Sequence, residues 1–339
     1  MSKFDLNDRR PAWHFLRSKN KYQEKKQPRD CAKTEIVEGL PGGECPQPLR
    51  RFLELIVIYA RVARSQVLFM PLLLVTCAFC YSKYHYEIVG YKSFSCVAFS
   101  ILFFNLAVNT ISEYRDCQKG VDDLYSAGTK YRLVSGILPA KNVLILGITS
   151  FILASISGII AVFLKPYTLI IPGIFAAGIA LFYSEWPLGL KYKALGELCV
   201  FIVYGPLIFS SCILALTQQL CVEDLIFSIP FGILTTNVIL ANNIRDYEFE
   251  KDKTTTLPIK FGLKFAYFLL FFETNLAFLM IPFLIYEGII PNSGFLSFLP
   301  YPLIFLSIKK IGTPKFINIF GVLQVLFALL MCLCFFMIH

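Results

Sequence analysis

The chain has 339 residues, 56% of them hydrophobic, and a mean hydropathy of +0.62, which excludes a soluble globule. Its formal net charge of +9 at pH 7 follows from Lys and Arg gathered ahead of the first apolar stretch and in alternate loops, so no nucleic-acid partner is needed to account for it. The three histidines are scattered, and most of the eleven cysteines sit inside apolar stretches. Cys77 and Cys80 have C-x-x-C spacing, but without a second pair or a histidine cluster they read as small packing residues rather than zinc ligands.

Residues 1–50 are polar and rich in Lys, Pro and Gly, with both acids and bases. They read as a disordered cytosolic tail, and no apolar signal-peptide region follows the early charges. From about residue 51 onward, apolar runs approach or exceed the ~20 residues that cross a hydrocarbon core. Seven are clear: Phe94 to Ser112, Val143 to Leu164, Tyr167 to Tyr183, Leu195 to Leu216, Leu225 to Ala241, Phe265 to Tyr286 and Phe316 to Ile338. Two are less clean: Ser65 to Tyr81, and Phe295 to Ile308, which Pro300 and Pro302 interrupt. Backbone in lipid must pair internally, and runs of this length without strict alternation select helices over a closed barrel. The expected fold is therefore an all-α polytopic membrane protein in which residues 51–339 form one domain of nine helices.

Fourteen Lys and Arg precede the first span, and the loops after spans two, four, six and eight hold most of the others. The opposite loops hold only Lys83, Lys92 and Lys165. By the positive-inside rule the amino terminus and the basic loops face the cytosol, and His339 lies on the other side. An integral protein of either a bacterial plasma membrane or a eukaryotic internal membrane fits this pattern.

Two polar stripes break the apolar pattern at the cytosolic ends of spans two and six. Asn242, Asp246 and Glu250 are spaced by four, which advances about 40° per step on a helix and keeps them on one face. Asn109, Glu113 and Asp116 share a face within about 60° on span two, Gly120 ends that helix, and Asp122 follows in the loop. Either stripe alone could be a solvated helix cap. Two of them on one membrane side, each followed by a basic loop, favour a functional set, because acids at membrane depth are costly. Hard oxygen donors beside Arg245 suit Mg²⁺ bound together with a phosphorylated ligand.

Among the bases, Arg64 is either a snorkelling anchor or an anion ligand, and Lys130 and Arg132 are either positive-inside residues or phosphate ligands. Lys191 and Lys253 are further phosphate candidates. Tyr183 sits at the rim, where an aromatic belt is the ordinary expectation. Glu197 and Glu273 are additional membrane-embedded acids, and neither has a specific role at this level.

The run Asn242-Asn-Ile-Arg-Asp246, an acid four residues on, and Thr256-Leu-Pro-Ile-Lys-Phe-Gly262 resemble the second aspartate motif of the UbiA superfamily of intramembrane aromatic prenyltransferases. Within it, the Asn-Asn-x-Arg-Asp form resembles the 1,4-dihydroxy-2-naphthoate polyprenyltransferases of menaquinone synthesis. Asp116-x-x-x-Gly120-x-Asp122, Arg132-Leu-Val-Ser-Gly136, Lys191 to Glu197, Gly205-Pro206 and Arg64 ahead of Pro71 also fit, so the likeness covers about residue 55 to the end. There are departures. Ser112 stands where the family carries the first motif's leading Asn, so either Ser112 replaces the amide or Asn109 supplies it from a turn away. Glu250 stands for Asp, and the stretch before Thr256 is one residue short.

The resemblance implies nine helices around a central cavity, with the two motifs facing each other across its cytosolic mouth. It implies two Mg²⁺ ions between Asn109, Glu113, Asp116, Asp122, Asn242, Asp246 and Glu250 and a polyprenyl diphosphate. Arg64, Lys130, Arg132, Lys191, Arg245 and Lys253 would hold the diphosphate oxygens, with Asp116, Asp246 and Arg245 central to catalysis and Tyr183 and Ser112 near the acceptor. The apolar interior, rich in the chain's 33 Phe, would house the isoprenoid, and an aromatic acceptor, dihydroxynaphthoate in this branch, would take it. The competing readings are another aromatic acceptor, a cation transporter using the rim acids, and an inactive relative with an altered first motif.

Overall fold

A computed structural model describes residues 65–121, 139–164, 167–185, 187–311 and 315–337. The expected tail, Arg64, Asp122, Lys130 and Arg132 lie outside the described residues. Regular structure among the described residues is helical throughout. In chain order the helices are α1 (Ser65–His85), α2 (Tyr91–Gln118), α3 (Ala140–Phe163), α4 (Ile170–Phe182), α5 (Gly196–Ile202), α6 (Ile208–Thr217), α7 (Val222–Glu250), α8 (Leu257–Phe261), α9 (Leu263–Tyr286), α10 (Leu303–Ile308) and α11 (Lys315–Phe336). Six segments are long and apolar enough to cross a membrane: α2, α3, the run Gly196–Thr217, α7, α9 and Phe316–Phe336. The other three expected spans fall on α1 and on the shorter apolar pieces Tyr167–Phe182 and Asn292–Ile308.

The α2–α3 hairpin shows how such helices pair without a hydrophobic driving force between them. Small residues of α3 recur at heptad spacing (Gly147, Ser150, Ala154, Ser157, Ala161) and are buried. They let the backbones approach closely enough for side chains to bond across. Ser93 Oγ donates to Ala161 O (3.1 Å), Ser100 Oγ to Ala154 O (2.8 Å) and Ser157 Oγ to Cys96 O (2.8 Å). The opposite face of α3 carries Ile145, Ile148, Ile152, Ile156 and Ile159, all exposed, as a lipid-facing surface requires.

Leu195 to Leu216, one span in the sequence reading, is interrupted by a π turn at Val203–Leu207. Pro206 has no N–H to donate, and Gly205 leaves the helical region at φ −103°, ψ −107°. The break also lets α5 approach α7. A Cβ on Gly232 would stand 2.8 Å from Phe201 O and 3.2 Å from Gly205 Cα, so only glycine fits there.

α7 is the central helix, and two ties fix its relation to α2. At one end, Asp224 is fully buried; it accepts from the Tyr81 hydroxyl (2.8 Å), the Tyr86 hydroxyl (2.9 and 3.0 Å) and the Cys221 N–H (2.7 Å). This caps α7 and pins the α1–α2 turn to it. At the other end, Lys253 Nζ, just past α7, donates to Val121 O, just past α2, at 3.2 Å. The two helices therefore run in the same direction and end together, which puts both polar stripes at one end of the bundle.

Phe209, Phe227, Phe231, Phe278 and Phe327 are buried and pack ring against ring, for example Phe209 on Phe231 at 4.8 Å and Phe231 on Phe327 at 5.3 Å. These rings fill the bundle. An apolar groove of about 430 Å³, lined by Leu68, Phe69, Leu72, Leu102, Phe103 and Leu106, lies between α1 and α2. α11 brings Cys332 onto both Cys77 and Cys80, a thiol contact that the C-x-x-C spacing alone does not disclose.

Candidate active site at the α2 and α7 ends

Asp116, 1% exposed on the last turn of α2, is the most enclosed acid of the first stripe. Lys191 Nζ donates to its Oδ2 (2.5 Å) and the Tyr192 hydroxyl to its Oδ1 (2.8 Å). Both donors come from one short 3-10 turn, Leu190–Lys193. The turn is bracketed by left-handed residues, Gly189 at φ 51° and Ala194 at φ 57°. For a non-glycine residue this costs on the order of 1 kcal/mol, so the surrounding contacts must hold Ala194 there. Lys119 Nζ stands 3.6 Å above the Tyr192 ring. Partial burial, and then the Arg115 guanidinium, push the Lys119 pKa down.

Glu113 is 2% exposed. Beside it the Ser112 hydroxyl bonds that of Ser184, at the end of α4. Asn109 Nδ2 turns back one helical turn to Asn105, donating to its backbone oxygen (2.9 Å) and side-chain oxygen (3.0 Å). Asn105 in turn donates to the Tyr204 hydroxyl on the π turn. A polar ladder thus descends from the first stripe into the membrane interior. Arg115 grips Glu185 through two nitrogens and closes the rim between α2 and the segment after α4.

On the second stripe, Arg245 pairs with its neighbour Asp246 through Nε and Nη2, each at 2.7 Å. Asn242 and Asp246 are half-buried and Glu250 is buried. Asn243 Nδ2 donates to Glu197 Oε1 at 2.8 Å. Past α7 the chain folds under the site. The Lys253 and Thr254 N–H groups cap Glu250 O (2.9 and 3.1 Å), and the Ala194 N–H donates to Thr255 O (2.9 Å). Tyr183 lies beside the same turn: the Lys191 N–H donates to Tyr183 O (2.8 Å), and the Tyr183 hydroxyl is 3.6 Å from where a Cβ on Gly196 would stand.

Of the site residues expected from sequence, Asp116 and Lys191 are in direct contact, Arg245 and Asp246 pair, and Lys253 reaches the end of α2. Tyr192, Asn243, Ser184 and Glu185 were not singled out. Tyr192 and Asn243 each adjoin a residue that was, and that adjacency is the available signal. Glu273 finds a partner in the Asn237 amide, which donates to Oε2 (2.9 Å) when its oxygen faces the Thr274 hydroxyl.

No three acidic, histidine or cysteine side chains converge into a metal cage among the described residues. Mg²⁺ with a phosphorylated ligand commonly uses one or two carboxylates and takes the rest of its shell from ligand and water oxygens. Asp116, buried, and Asp246, half-buried, each paired with a cation, fit that shared arrangement.

The profile of the UbiA prenyltransferase family matches residues 72–311. A 1,4-dihydroxy-2-naphthoate octaprenyltransferase of Bacillus subtilis is 29% identical over 210 residues, 62% of this chain and 68% of that protein. Human UbiA prenyltransferase domain-containing protein 1 is 29% identical over 175 residues, 51% of each chain, so the match spans about half of that relative. A solved UbiA homologue from Archaeoglobus fulgidus, bound to DMAPP and Mg²⁺, superposes with a TM-score of 0.58 at 16% identity, over 80% of this chain and 97% of that one. The matched region includes both stripes and the turn between them, and the chain belongs to the UbiA prenyltransferase family of membrane enzymes.

Proposed function

We propose that this protein transfers a polyprenyl chain from polyprenyl diphosphate to 1,4-dihydroxy-2-naphthoate with release of diphosphate, a step of menaquinone synthesis. The observation that carries this reading is the meeting of two acidic helix ends, 116–121 and 246–253, over one basic turn. The likeness to the Bacillus naphthoate enzyme and the Asn242-Asn-Ile-Arg-Asp246 form support the acceptor.

In this reading Asp116, Glu113, Asn109 and Asp122 face Asn242, Asp246 and Glu250 as the oxygen donors for Mg²⁺, taken as two ions. Bound Mg²⁺ supplies charge neutralisation to the departing diphosphate. The chain's own cations act on the same charge. Lys191 and Arg245, now paired to Asp116 and Asp246, would hold diphosphate oxygens together with Lys253, and Arg64, Lys130 and Arg132 complete the proposed set. Allylic C–O cleavage leaves an electrophile that water would quench; the apolar interior excludes water while the aromatic ring attacks, and the ring carboxyl then departs as CO2 with loss of its proton, leaving a prenylated naphthoquinol. Tyr183 and Ser112 are the residues proposed for the acceptor side. The proposed nine spans of residues 51–339 rest on the apolar runs, and the cytosolic placing of the site mouth and amino terminus rests on the charge between them.

The test is incubation of purified protein with labelled polyprenyl diphosphate, a panel of aromatic acceptors and Mg²⁺, with and without EDTA. A prenylated naphthoquinol, detected as the quinone after air oxidation, formed only without EDTA is the expected result. A product with a different acceptor alone would move the assignment to that acceptor, and absence of any product would defeat it.

A further inference from the structure

Glu197 is an acid at the start of a membrane helix, 5% exposed, with no place in the ligand set above. A buried carboxyl of this kind needs hydrogen-bond partners, and a packing role alone is better filled by an apolar residue. Its partners are Asn243 Nδ2 at 2.8 Å and backbone N–H groups, among them that of Leu257 at the start of α8. Asn243 sits between Asn242 and Asp246 in sequence and about 100° around the helix from Asn242, on the flank of the stripe. An anchor on that flank sets the rotation of α7 about its own axis, and so the direction in which Asn242 and Asp246 face.

The segment that carries Glu197 also grips the other stripe. Within seven residues, Lys191 and Tyr192 hold Asp116, the Ala194 N–H holds Thr255 O beyond α7, and Glu197 holds Asn243. Left-handed backbone at Ala194 turns the chain between these two sets of contacts. Thr236 adds a longer bond to Glu197 O (3.4 Å), and the Gly205–Gly232 contact holds the same two helices together farther along.

We infer that Glu197 is a positioning residue for the second motif, and that residues 191–197 form a strap setting the two motifs at a common distance. Its consequence for catalysis rests on the reading that both motifs bind Mg²⁺ and a prenyl diphosphate together. Removing the partner behind a metal-binding group commonly costs 10–100-fold in affinity.

The experiment compares wild type, Glu197→Ala, Glu197→Gln and Asn243→Ala, using geranyl diphosphate with Mg²⁺ as probe and hydrogen exchange of the unliganded protein as a second readout. Glu197→Ala is expected to raise the half-saturating geranyl diphosphate concentration at least about tenfold, leave the KM for the aromatic acceptor unchanged, and speed exchange over residues 251–256. Glu197→Gln keeps a carbonyl acceptor for Asn243 and is expected to restore both. Asn243→Ala, which keeps the Glu197 bond to Leu257, should shift both readouts in the same direction, and the double variant should be no worse than Glu197→Ala. Unchanged exchange and half-saturation in Glu197→Ala would overturn the inference, as would a Gln variant as defective as the Ala variant. If Glu197→Ala does not fold, Asn243→Ala makes the same comparison from the other side. If wild type binds no geranyl diphosphate, the proposed function fails, and the exchange measurements still decide the strap.

Discussion

Lys253 Nζ reaches the backbone oxygen of Val121 at 3.2 Å across 132 residues of sequence, joining the chain just past α7 to the chain just past α2. One ammonium thereby spans the gap between the two acidic helix ends, where a diphosphate would need to be held.

Lys253→Ala removes that cation without touching either stripe. A charge-assisted hydrogen bond of about 1.5–3 kcal/mol corresponds to roughly a tenfold or larger rise in KM for the prenyl diphosphate. Initial rates at varied donor concentration measure it, and kcat should change less than KM.

Asp116→Ala and Asp246→Ala should each lower kcat about 10³-fold or more while membrane expression stays near normal. Lys191→Met is distinguishable from both. It removes the ammonium bonded to the enclosed Asp116 carboxylate while the Tyr192 bond stays, and should lower thermal stability by about 1–3 kcal/mol as well as weaken diphosphate binding. Steady-state kinetics beside a thermal unfolding assay separates the two effects. Full activity in both Asp variants would remove them from the ligand set.

Gly232→Ala places a Cβ 2.8 Å from the Phe201 carbonyl, a backbone atom that cannot swing away. Overpacking of this kind costs about 1–3 kcal/mol. The displaced helix is α5, which carries Glu197, so activity per folded molecule should fall along with the melting temperature.

At the far end of the bundle, burial raises the Tyr86 phenol above its ordinary pKa, and hydrogen bonds to Cys221 and Asp224 add to the shift. The folded state therefore keeps this proton at a pH where the unfolded chain loses it. The stability linked to Tyr86 is present below about pH 10 and falls as pH rises beyond that. Melting temperature measured across alkaline pH should drop less steeply in Tyr86→Phe. Asp224→Asn should lower the melting temperature at neutral pH yet leave the turnover of folded protein unchanged, because its partners lie away from the site.

Much of the architecture was legible beforehand because lipid allows so few backbone solutions. Long apolar runs had to be helices and period-four polar residues had to share a face, whereas the break at Gly205-Pro206 inside a continuous apolar span was not read. The ends of α2 and α7 were legible too, from Gly120 and from the spacing of Asn242, Asp246 and Glu250. The apolar part of each span stops near Ser112 and Ala241, but the helices continue to Gln118 and Glu250, because polar residues can extend a helix into the rim without changing its period.

The sequence by itself determined a helical membrane protein with acids and bases gathered at one set of helix ends, since hydropathy and charge are local properties that add along the chain. Only the tertiary structure decided which side chains meet. Lys191 and Tyr192 share one carboxylate, Glu197 holds the flank of the second stripe, and Lys253 closes on Val121, because these contacts depend on a left-handed turn and on glycine-mediated helix approach. Neither leaves a periodic trace in the sequence.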